Sequence, residues 1–301
     1  MIGKALTQAL IERGFHVIIL TRNASKQKPK TNISFGEWDI QKQTLDKNAF
    51  AKADYIILLA GASVAEKRWN DKRKQEIVSS RVDSGKLIVE SLKAIPNKIK
   101  TVISASGIGW YGPDQNDGKE FKESDPSSND FLGKTCKQWE SAIEPASFLG
   151  KRLVKFRIGI VLSNEGGAYP EFKKPMKFGL ATILGNGQQI VSCIHIDDLV
   201  RAILFAMENE RMEGVYNAVA PQPVSNKELV LEIAKKERGR SYISVHVPTF
   251  ALKIRLGEMS VEVLKSATVS ADKIQQAGFI FQYPDLASAI LQLSHQKNPP
   301  V

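Results

Sequence analysis

The 301-residue sequence is poor in cysteine and has no long hydrophobic run: Cys136 and Cys193 are its only cysteines. This pair forms neither a disulfide framework nor the spacing of a metal site. No run of about 18 apolar residues is present, so no transmembrane helix is predicted. The N-terminus shows no signal-peptide pattern. We therefore expect a cytoplasmic protein without bound metal or membrane association.

Acidic residues are fewer than basic ones, with 32 Asp and Glu against 42 Lys and Arg, which gives a formal net charge of +10. The basic residues are spread along the chain, and no nucleic-acid motif or aromatic-interleaved basic stripe is present. A solvated, lysine-rich surface accounts for this charge, and a positive field also steers phosphorylated ligands. We predict no nucleic-acid partner. A nucleic-acid-associated factor stays a distant alternative that only the charge supports.

Strands and helices alternate along the first two-thirds of the chain. Apolar residues spaced as on one helix face begin at Ile2 and end before Gly14, and the short apolar strand Val17–Leu20 follows. Further strands are predicted at 55–59, 101–104 and 153–162, with helices at 69–92, 134–146, 199–207 and 226–236. This alternation indicates right-handed βαβ units and an α/β fold with a doubly wound parallel sheet of the Rossmann type.

The pattern changes after residue 165, where glycine and proline become frequent through residue 187. We predict a discontinuous dinucleotide-binding domain formed by residues 1–165 and 188–222. Residues 166–187 and 223–301 are predicted to form a smaller α+β substrate domain.

Arg22 is the most informative single residue for the choice of cofactor. It follows the strand whose end, in an NAD-specific site, carries Asp or Glu against the ribose 2′-hydroxyl. Lys26, Lys28 and Lys30 follow closely. A guanidinium at this position suits a 2′-phosphate through charge-assisted hydrogen bonds, so the sequence favours NADP over NAD.

The phosphate-binding turn is incomplete in this sequence. Such a site needs a strand, a glycine-rich turn and a helix N-terminus, yet the sequence begins Met1-Ile2-Gly3. Gly3 corresponds to the last glycine, which allows close packing of the helix on the strand. We therefore expect a sheet without its central first strand, and roughly ten further upstream residues in the native gene product.

Several segments together resemble one known family. They include "IILLAGASV", "SSRVDSGKLI", "ISASGIGWYG", "FRIGIVLSNEGGAY" and "GNGQQIVSCIHIDDLVRAI", and the tail from "VPTFALKIRLGEMS" onward resembles that family's own C-terminal domain. The family is the atypical extended short-chain dehydrogenase/reductases, the NAD(P)-dependent, sugar-nucleotide-epimerase-like proteins. The resemblance covers nearly the whole chain and implies an NADP-binding domain with a substrate cleft beside it.

The catalytic residues of typical members match this sequence only in part. Typical members use a Ser and a Tyr-x-x-x-Lys pair, in which Tyr transfers the proton and Lys lowers its pKa. Ser106 fits the serine position, whereas Leu132 and Cys136 occupy those of Tyr and Lys. Tyr111 is the alternative acid, although a Trp-Tyr-Gly stretch also suits packing. We predict Ser106 and Tyr111 as the catalytic residues.

The strand ends and the resemblance together suggest the cofactor-binding residues. Gly61 ends a strand and allows the adenine ribose to approach the backbone, and Arg81 stands where many members have Asn. The predicted set is Gly3, Arg22, Leu59, Ala60, Gly61, Arg81, Ser104, Ser106 and Arg157.

Besides the nucleic-acid alternative, which only the charge supports, two functions remain open. The first is an NADP-dependent oxidoreductase or epimerase-like enzyme, monomeric or homodimeric, with a small polar substrate, for which a nucleotide sugar is one candidate. The second is a non-catalytic NADP(H)-binding sensor or interaction protein. The retained Ser106 and the substrate domain favour the first function, and Leu132 and Cys136 favour the second.

Overall fold

The computed structural model describes residues 1–115 and 118–295. The strands are β1 (Val17–Thr21), β2 (Ile33–Asp39), β3 (Thr44–Leu45), β4 (Tyr55–Leu58), β5 (Thr101–Gly107), β6 (Arg152–Ile158), β7 (Ile160–Leu162), β8 (Leu180–Leu184), β9 (Ile190–Val191), β10 (Cys193–His195), β11 (Gly214–Ala218), β12 (Val224–Ser225) and β13 (Ile243–Val247). The helices are α1 (Ile2–Glu12), α2 (Lys47–Lys52), α3 (Asp71–Ala94), α4 (Phe131–Ile143), α5 (Ala168–Met176), α6 (Ile196–Glu208), α7 (Asn226–Arg238), α8 (Thr249–Leu256), α9 (Ser260–Leu264), α10 (Asp272–Gln276) and α11 (Leu286–His295).

The central sheet is divided into two parts. Strands β4, β5, β6 and β11 form a parallel sheet in the order β11-β6-β5-β4, and β1, β2 and β3 form a separate sheet in which β1 and β2 are parallel. No described strand lies between β1 and β4. A largely apolar slot of about 770 Å³ lies there, lined by both strands and by α1. The predicted gap in the parallel sheet is therefore confirmed.

Helices cover both faces of the parallel sheet. Successive residues of a strand point to opposite faces. Accordingly, Ile103 and Val154 pack with α6, while their neighbours Val102 and Leu153 pack with α3. Helix α1 lies beside α6, and α4 lies beside α3. These layers form the Rossmann-like unit that the alternating sequence pattern predicts.

The smaller C-terminal unit is built on the parallel pair β8 and β13. Ala181 and Ile183 of β8 are buried in one core with residues of α5, α7 and α11. The chain then returns, since residues 269–281 place Val269, Ile274 and Phe281 in the core of the Rossmann-like unit. Within the described part of the chain, no helix is both long and apolar enough to cross a bilayer.

Several predicted elements have other bounds in the structure, and two of these differences have a clear local cause. The single strand predicted over 153–162 is interrupted at Gly159, where a Cβ atom would lie 2.5 Å from the Ser192 carbonyl oxygen. The chain leaves the parallel sheet there, and β7 pairs with β10 instead. Helix α4 begins three residues earlier than predicted because the Asp130 side chain caps it by accepting the Gly133 amide.

Candidate active site

The carboxyl ends of the parallel strands form one edge, where most of the predicted site residues lie. Gly61 follows β4, Ser106 and Arg157 are next to last in β5 and β6, and Ser104 lies in the middle of β5. In a Rossmann-like sheet the end of β1, with Arg22, belongs to the same edge. Ligands of open α/β sheets bind at this edge, so it is the candidate site.

Arg22 lies exposed directly after β1. Among the described residues, no acidic side chain forms an ion pair with Arg22, Lys26, Lys28 or Lys30. A positively charged group without a carboxylate partner is free to bind an anion from solution.

Gly3 lies in the first turn of α1, and a Cβ atom there would meet no heavy atom within 4 Å. The strand against which such a glycine would pack is absent from the described structure, so Gly3 faces the slot beside β1. The first amides of a helix have no intrahelical acceptor, so the N-terminus of α1 offers free donors at an open surface.

Arg81 lies under the loop that follows β4. A Cβ atom at Gly61 would lie 3.0 Å from the Arg81 Cζ atom. The guanidinium donates to the carbonyl oxygens of Ala62, at 3.0 Å, and Ile77, at 2.9 Å, and its Cζ lies 4.9 Å from the centroid of the Trp139 ring. A side chain at position 61 would therefore crowd the Arg81 guanidinium, which holds the loop backbone in place.

A buried ion pair lies beneath the edge. Arg157 Nε donates to Glu140 Oε1 at 2.8 Å, and Nη2 donates to Oε2 at 3.1 Å. The Ser106 hydroxyl donates to the same carboxylate at 2.7 Å. Ser106, Glu140 and Arg157 are 4%, 5% and 2% exposed. The Ser106 proton is therefore engaged with an internal carboxylate.

Tyr111 extends this network and is completely buried. Its hydroxyl donates to Asn217 Oδ1 at 2.8 Å and accepts from Arg157 Nη1 at 3.0 Å. Burial is the main reason that the pKa of Tyr111 rises to about 12. A phenol that is closed to solvent and already bonded has the features of a structural residue. The assignment of Ser106 and Tyr111 as catalytic residues stays a prediction.

Helix α4 presents apolar groups where a Tyr-x-x-x-Lys pair would lie. Leu132 packs closely against the residues that follow β5. A Cβ atom added at Gly109 would lie 3.0 Å from the Cβ atom of Leu132. The Cys136 Sγ atom would lie 3.8 Å from a Cβ atom added at Gly107. Burial raises the pKa of Cys136 to about 12, so the thiol stays neutral and cannot replace a lysine cation.

The C-terminal unit meets the Rossmann-like unit beside this edge. Lys74 at the start of α3 pairs with Glu258 at 2.5 Å, and Lys265 pairs with both Asp130, at 3.3 Å, and Glu262, at 2.7 Å. Burial raises the pKa of Glu262. These charged groups, together with the contacting rings of Trp69 and Phe131, lie at the interface between the two units.

The structure brings only part of the predicted set together. Ser106, Tyr111 and Arg157 join one network, Arg81 meets Gly61, and Gly3, Leu59 and Ala60 line the slot. Ser104 is buried and donates to the Ala105 carbonyl oxygen. The structural roles of Glu140 and Asn217 are not predictable from the sequence, since Glu140 is 34 residues from Ser106 and Asn217 is 106 residues from Tyr111. Asp39 ends β2, and its Oδ1 accepts the amides of Gln41 and Lys42 in the following turn.

Comparisons with known proteins agree with this fold. Residues 1–140 match the NAD dependent epimerase/dehydratase family. Residues 247–293 match a second family, the domain of unknown function DUF1731. An epimerase family protein of Staphylococcus saprophyticus is 37% identical over 98% of this chain and 96% of its own length. The epimerase family protein YfhF of Bacillus subtilis is 35% identical over 97% of this chain and 94% of its own length. The chain belongs to this epimerase family.

Solved structures show the same architecture. The human epimerase family protein SDR39U1, crystallised with NADPH, superposes with a TM-score of 0.84 at 26% identity, covering 98% of this chain and 96% of the human chain. A nucleoside-diphosphate sugar epimerase from Corynebacterium glutamicum superposes with a TM-score of 0.76 at 31% identity, covering 98% of this chain and 56% of its own. The Rossmann-like fold with a smaller C-terminal unit is thereby confirmed.

Proposed function

We propose that this protein binds NADP(H) at the carboxyl edge of its parallel strands and acts as an oxidoreductase or epimerase-like enzyme on a small polar substrate. The observation that carries the proposal is the exposed Arg22, which has no acidic partner in the described structure and directly follows β1. The human relative that shares this fold was solved with NADPH, which supports the choice of nucleotide.

The residues present fit a dinucleotide except at the phosphate-binding turn, whose strand and earlier glycines are not in the sequence. The open surface at Gly3 leaves the N-terminal amides of α1 free for a phosphate group. Arg22, with the lysines that follow it, suits the 2′-phosphate, and Gly61 keeps side-chain atoms away from the strand end. Arg81 acts on the cofactor site indirectly, because it holds the loop after β4.

When bound, the nicotinamide supplies hydride transfer, and the chain's own residues handle orientation and protons. Leu132 and Cys136 cannot move a proton, so any transfer relies on Ser106, Tyr111 or groups of the substrate. The interface between the two units carries the charged groups of Lys74, Lys265 and Glu262, which could bind a small polar substrate. A nucleotide sugar is one candidate.

The test is isothermal titration calorimetry of the full chain with NADPH and, separately, with NADH. We expect tighter binding of NADPH, and Arg22→Ala should weaken NADPH binding by about 1–3 kcal/mol while NADH binding stays unchanged, since only one nucleotide carries the 2′-phosphate. Arg211→Ala, which removes another exposed arginine, is the matched control. Equal affinity of the wild-type chain for both nucleotides would contradict the proposal.

A non-catalytic NADP(H) sensor is the second candidate, and the burial of Ser106 and Tyr111 favours it. A substrate screen that follows NADPH absorbance separates the two functions. Loss of acid–base help costs about 10²–10⁴-fold in rate, so an enzyme should still turn over a reactive substrate slowly. Tight NADPH binding without any turnover supports the sensor. Fast turnover that survives both Ser106→Ala and Tyr111→Phe would show that the catalytic residues lie elsewhere.

The same proposal places the protein in the cytoplasm. Cys136 and Cys193 are both buried free thiols, and burial raises both of their pKa values to about 12. Unpaired thiols are typical of a reducing compartment.

A further inference from the structure

The outer face of the β8–β13 pair is apolar and uncovered. Residues that pair across a parallel register point to the same side, so Ile243 lies beside Leu180 and Val245 beside Thr182. The inner face, with Ala181 and Ile183, is buried against helices. On the outer side, Ile243, Val245 and Leu180 remain 69%, 41% and 37% exposed, and Phe178 just before β8 is 84% exposed. We call Phe178, Leu180, Ile243 and Val245 the outer β8–β13 face.

Both chain segments that form this face lack acidic residues. Residues 172–196 and 238–257 contain no Asp or Glu, although they contain seven Lys and Arg. Lys177 and Arg240 are exposed, and Arg238 donates to the Lys177 carbonyl oxygen at 2.5 Å, which places it beside Phe178. Among the described residues, no carboxylate pairs with Lys177, Arg238 or Arg240. Lys173 and Lys174 pair with Glu237 and Glu171, which lie just outside these segments, so the unneutralised part of the basic border consists of Lys177, Arg238 and Arg240.

Helix α8, which follows β13, has the same character. Leu252 is its only buried residue, while Phe250 and Ile254 are 67% and 71% exposed. Lys253 and Arg255 are exposed beside them. Large exposed apolar side chains in one region mark an interaction surface, and here they alternate with positive charge.

We propose that the outer β8–β13 face docks onto an anionic membrane surface. Aromatic and aliphatic side chains enter the boundary between headgroups and acyl chains, while Lys and Arg bind the lipid phosphates. The sequence predicts no membrane association because no apolar run is long enough to span the bilayer, but docking at the membrane surface needs no such run.

Other occupants fit this face less well. A second copy would bring two basic borders together, and four exposed side chains are far fewer than the 20–30 residues a side that a stable interface typically needs. Nucleic acid would meet Leu180, Ile243 and Val245, which neither stack on bases nor donate hydrogen bonds to them. An anionic lipid surface satisfies both the charge and the apolar row.

The experiment is cosedimentation of the full chain with vesicles of phosphatidylcholine alone, or of phosphatidylcholine with about 30% phosphatidylglycerol. We expect binding to the anionic vesicles only, weakened by salt. The double variant Lys177→Ala with Arg240→Ala should lower partitioning about 25-fold, at about fivefold for each charge. Phe178→Ser with Ile243→Ser should lower it at least about tenfold, because two large apolar side chains are lost.

Matched controls come from the Rossmann-like unit. Phe148 is 82% exposed, so Phe148→Ser removes an equally exposed ring, and Lys86→Ala with Lys137→Ala removes two exposed charges. These controls should bind vesicles like the wild-type chain, with thermal melts showing that every variant is folded. Equal binding to both vesicle types would overturn the proposal, and so would control variants that weaken binding as much as the test variants do. It is also overturned if the test variants abolish self-association or DNA binding and leave vesicle binding unchanged.

Discussion

At the scale of single residues, Glu140 organises the interior beneath the candidate site. Its carboxylate accepts two hydrogen bonds from Arg157 and one from Ser106, and Arg157 lies 3.6 Å from the centroid of the Trp110 ring. Breaking one side of a buried ion pair leaves an uncompensated charge, which costs more than removing both charges together. Glu140 therefore controls the stability of the site whatever its chemistry.

We predict that Glu140→Gln lowers the free energy of unfolding by about 3–5 kcal/mol. Urea denaturation monitored by circular dichroism measures the loss. The double variant Glu140→Leu with Arg157→Met should recover part of it, because no unpaired charge then remains. A loss below about 1 kcal/mol in Glu140→Gln would mean that water or another group compensates Arg157.

Tyr111 gives a pH-dependent prediction. Burial raises its pKa from 10.0 to about 12, so the folded state holds the phenolic proton more tightly than the unfolded state does. The stabilisation is complete below about pH 10 and is lost as the pH rises toward about 12. Tyr111→Phe removes this titration and two hydrogen bonds, and it should cost about 1–3 kcal/mol at neutral pH.

Urea denaturation of both proteins across this range is the measurement. The stability difference between the wild-type chain and Tyr111→Phe should narrow with rising pH, while other titrations cancel in the comparison. A constant difference from pH 8 to pH 12 would show that Tyr111 titrates like an exposed phenol.

At the scale of secondary-structure elements, the sequence identifies the elements with a clear period. The strands at Val17, Tyr55 and Thr101 and the long helix α3 are all present, because continuous apolar runs and 3.6-residue periodicity survive in the fold. Strand β2 escapes prediction since Gly36 and Glu37 interrupt its pattern. Gly36 is needed there, because a Cβ atom would lie 2.9 Å from Ala49 and Leu20 side chains.

The candidate site is less predictable than the strands. Sequence position brings Arg22, Gly61 and Ser106 to strand ends, and these locations follow from the βαβ pattern alone. The partners of Ser106 and Tyr111 do not, because Glu140 and Asn217 belong to other elements and no local spacing relates them. Burial of Tyr111 is likewise a property of packing, which a single sequence does not encode locally.

The divided sheet leads to a prediction for amide exchange. Strands β1 and β4 each pair on one side only, so the amides that point into the slot have no strand partner among the described residues. We expect these amides to exchange with deuterium much faster than those of β5 and β6, which pair on both sides. Hydrogen exchange followed by mass spectrometry or NMR measures this. Equal protection in β4 and β5 would show that the slot is filled in solution.

At the scale of the whole molecule, the two units share one small sheet. Val161 of β7 and Ile194 of β10 belong to the Rossmann-like core. Their chain neighbours Leu162 and Cys193 belong to the C-terminal core. The returning segment 269–281 and the Lys74–Glu258 ion pair add further contacts between the units. Units that share strands and core residues should unfold together, unlike domains joined only by a linker.

We therefore predict a single transition in differential scanning calorimetry, and saturation with NADPH should move all of it. A ligand present at about 100 times its Kd stabilises the folded state by about 2.7 kcal/mol, and here that gain should reach the C-terminal unit although no predicted cofactor residue lies in it. NADH at the same concentration should shift the transition less, and Arg22→Ala should remove the difference between the nucleotides. Two transitions, of which NADPH moves only one, would contradict the shared core, because the β7–β10 sheet would then fail to transmit stability between the units.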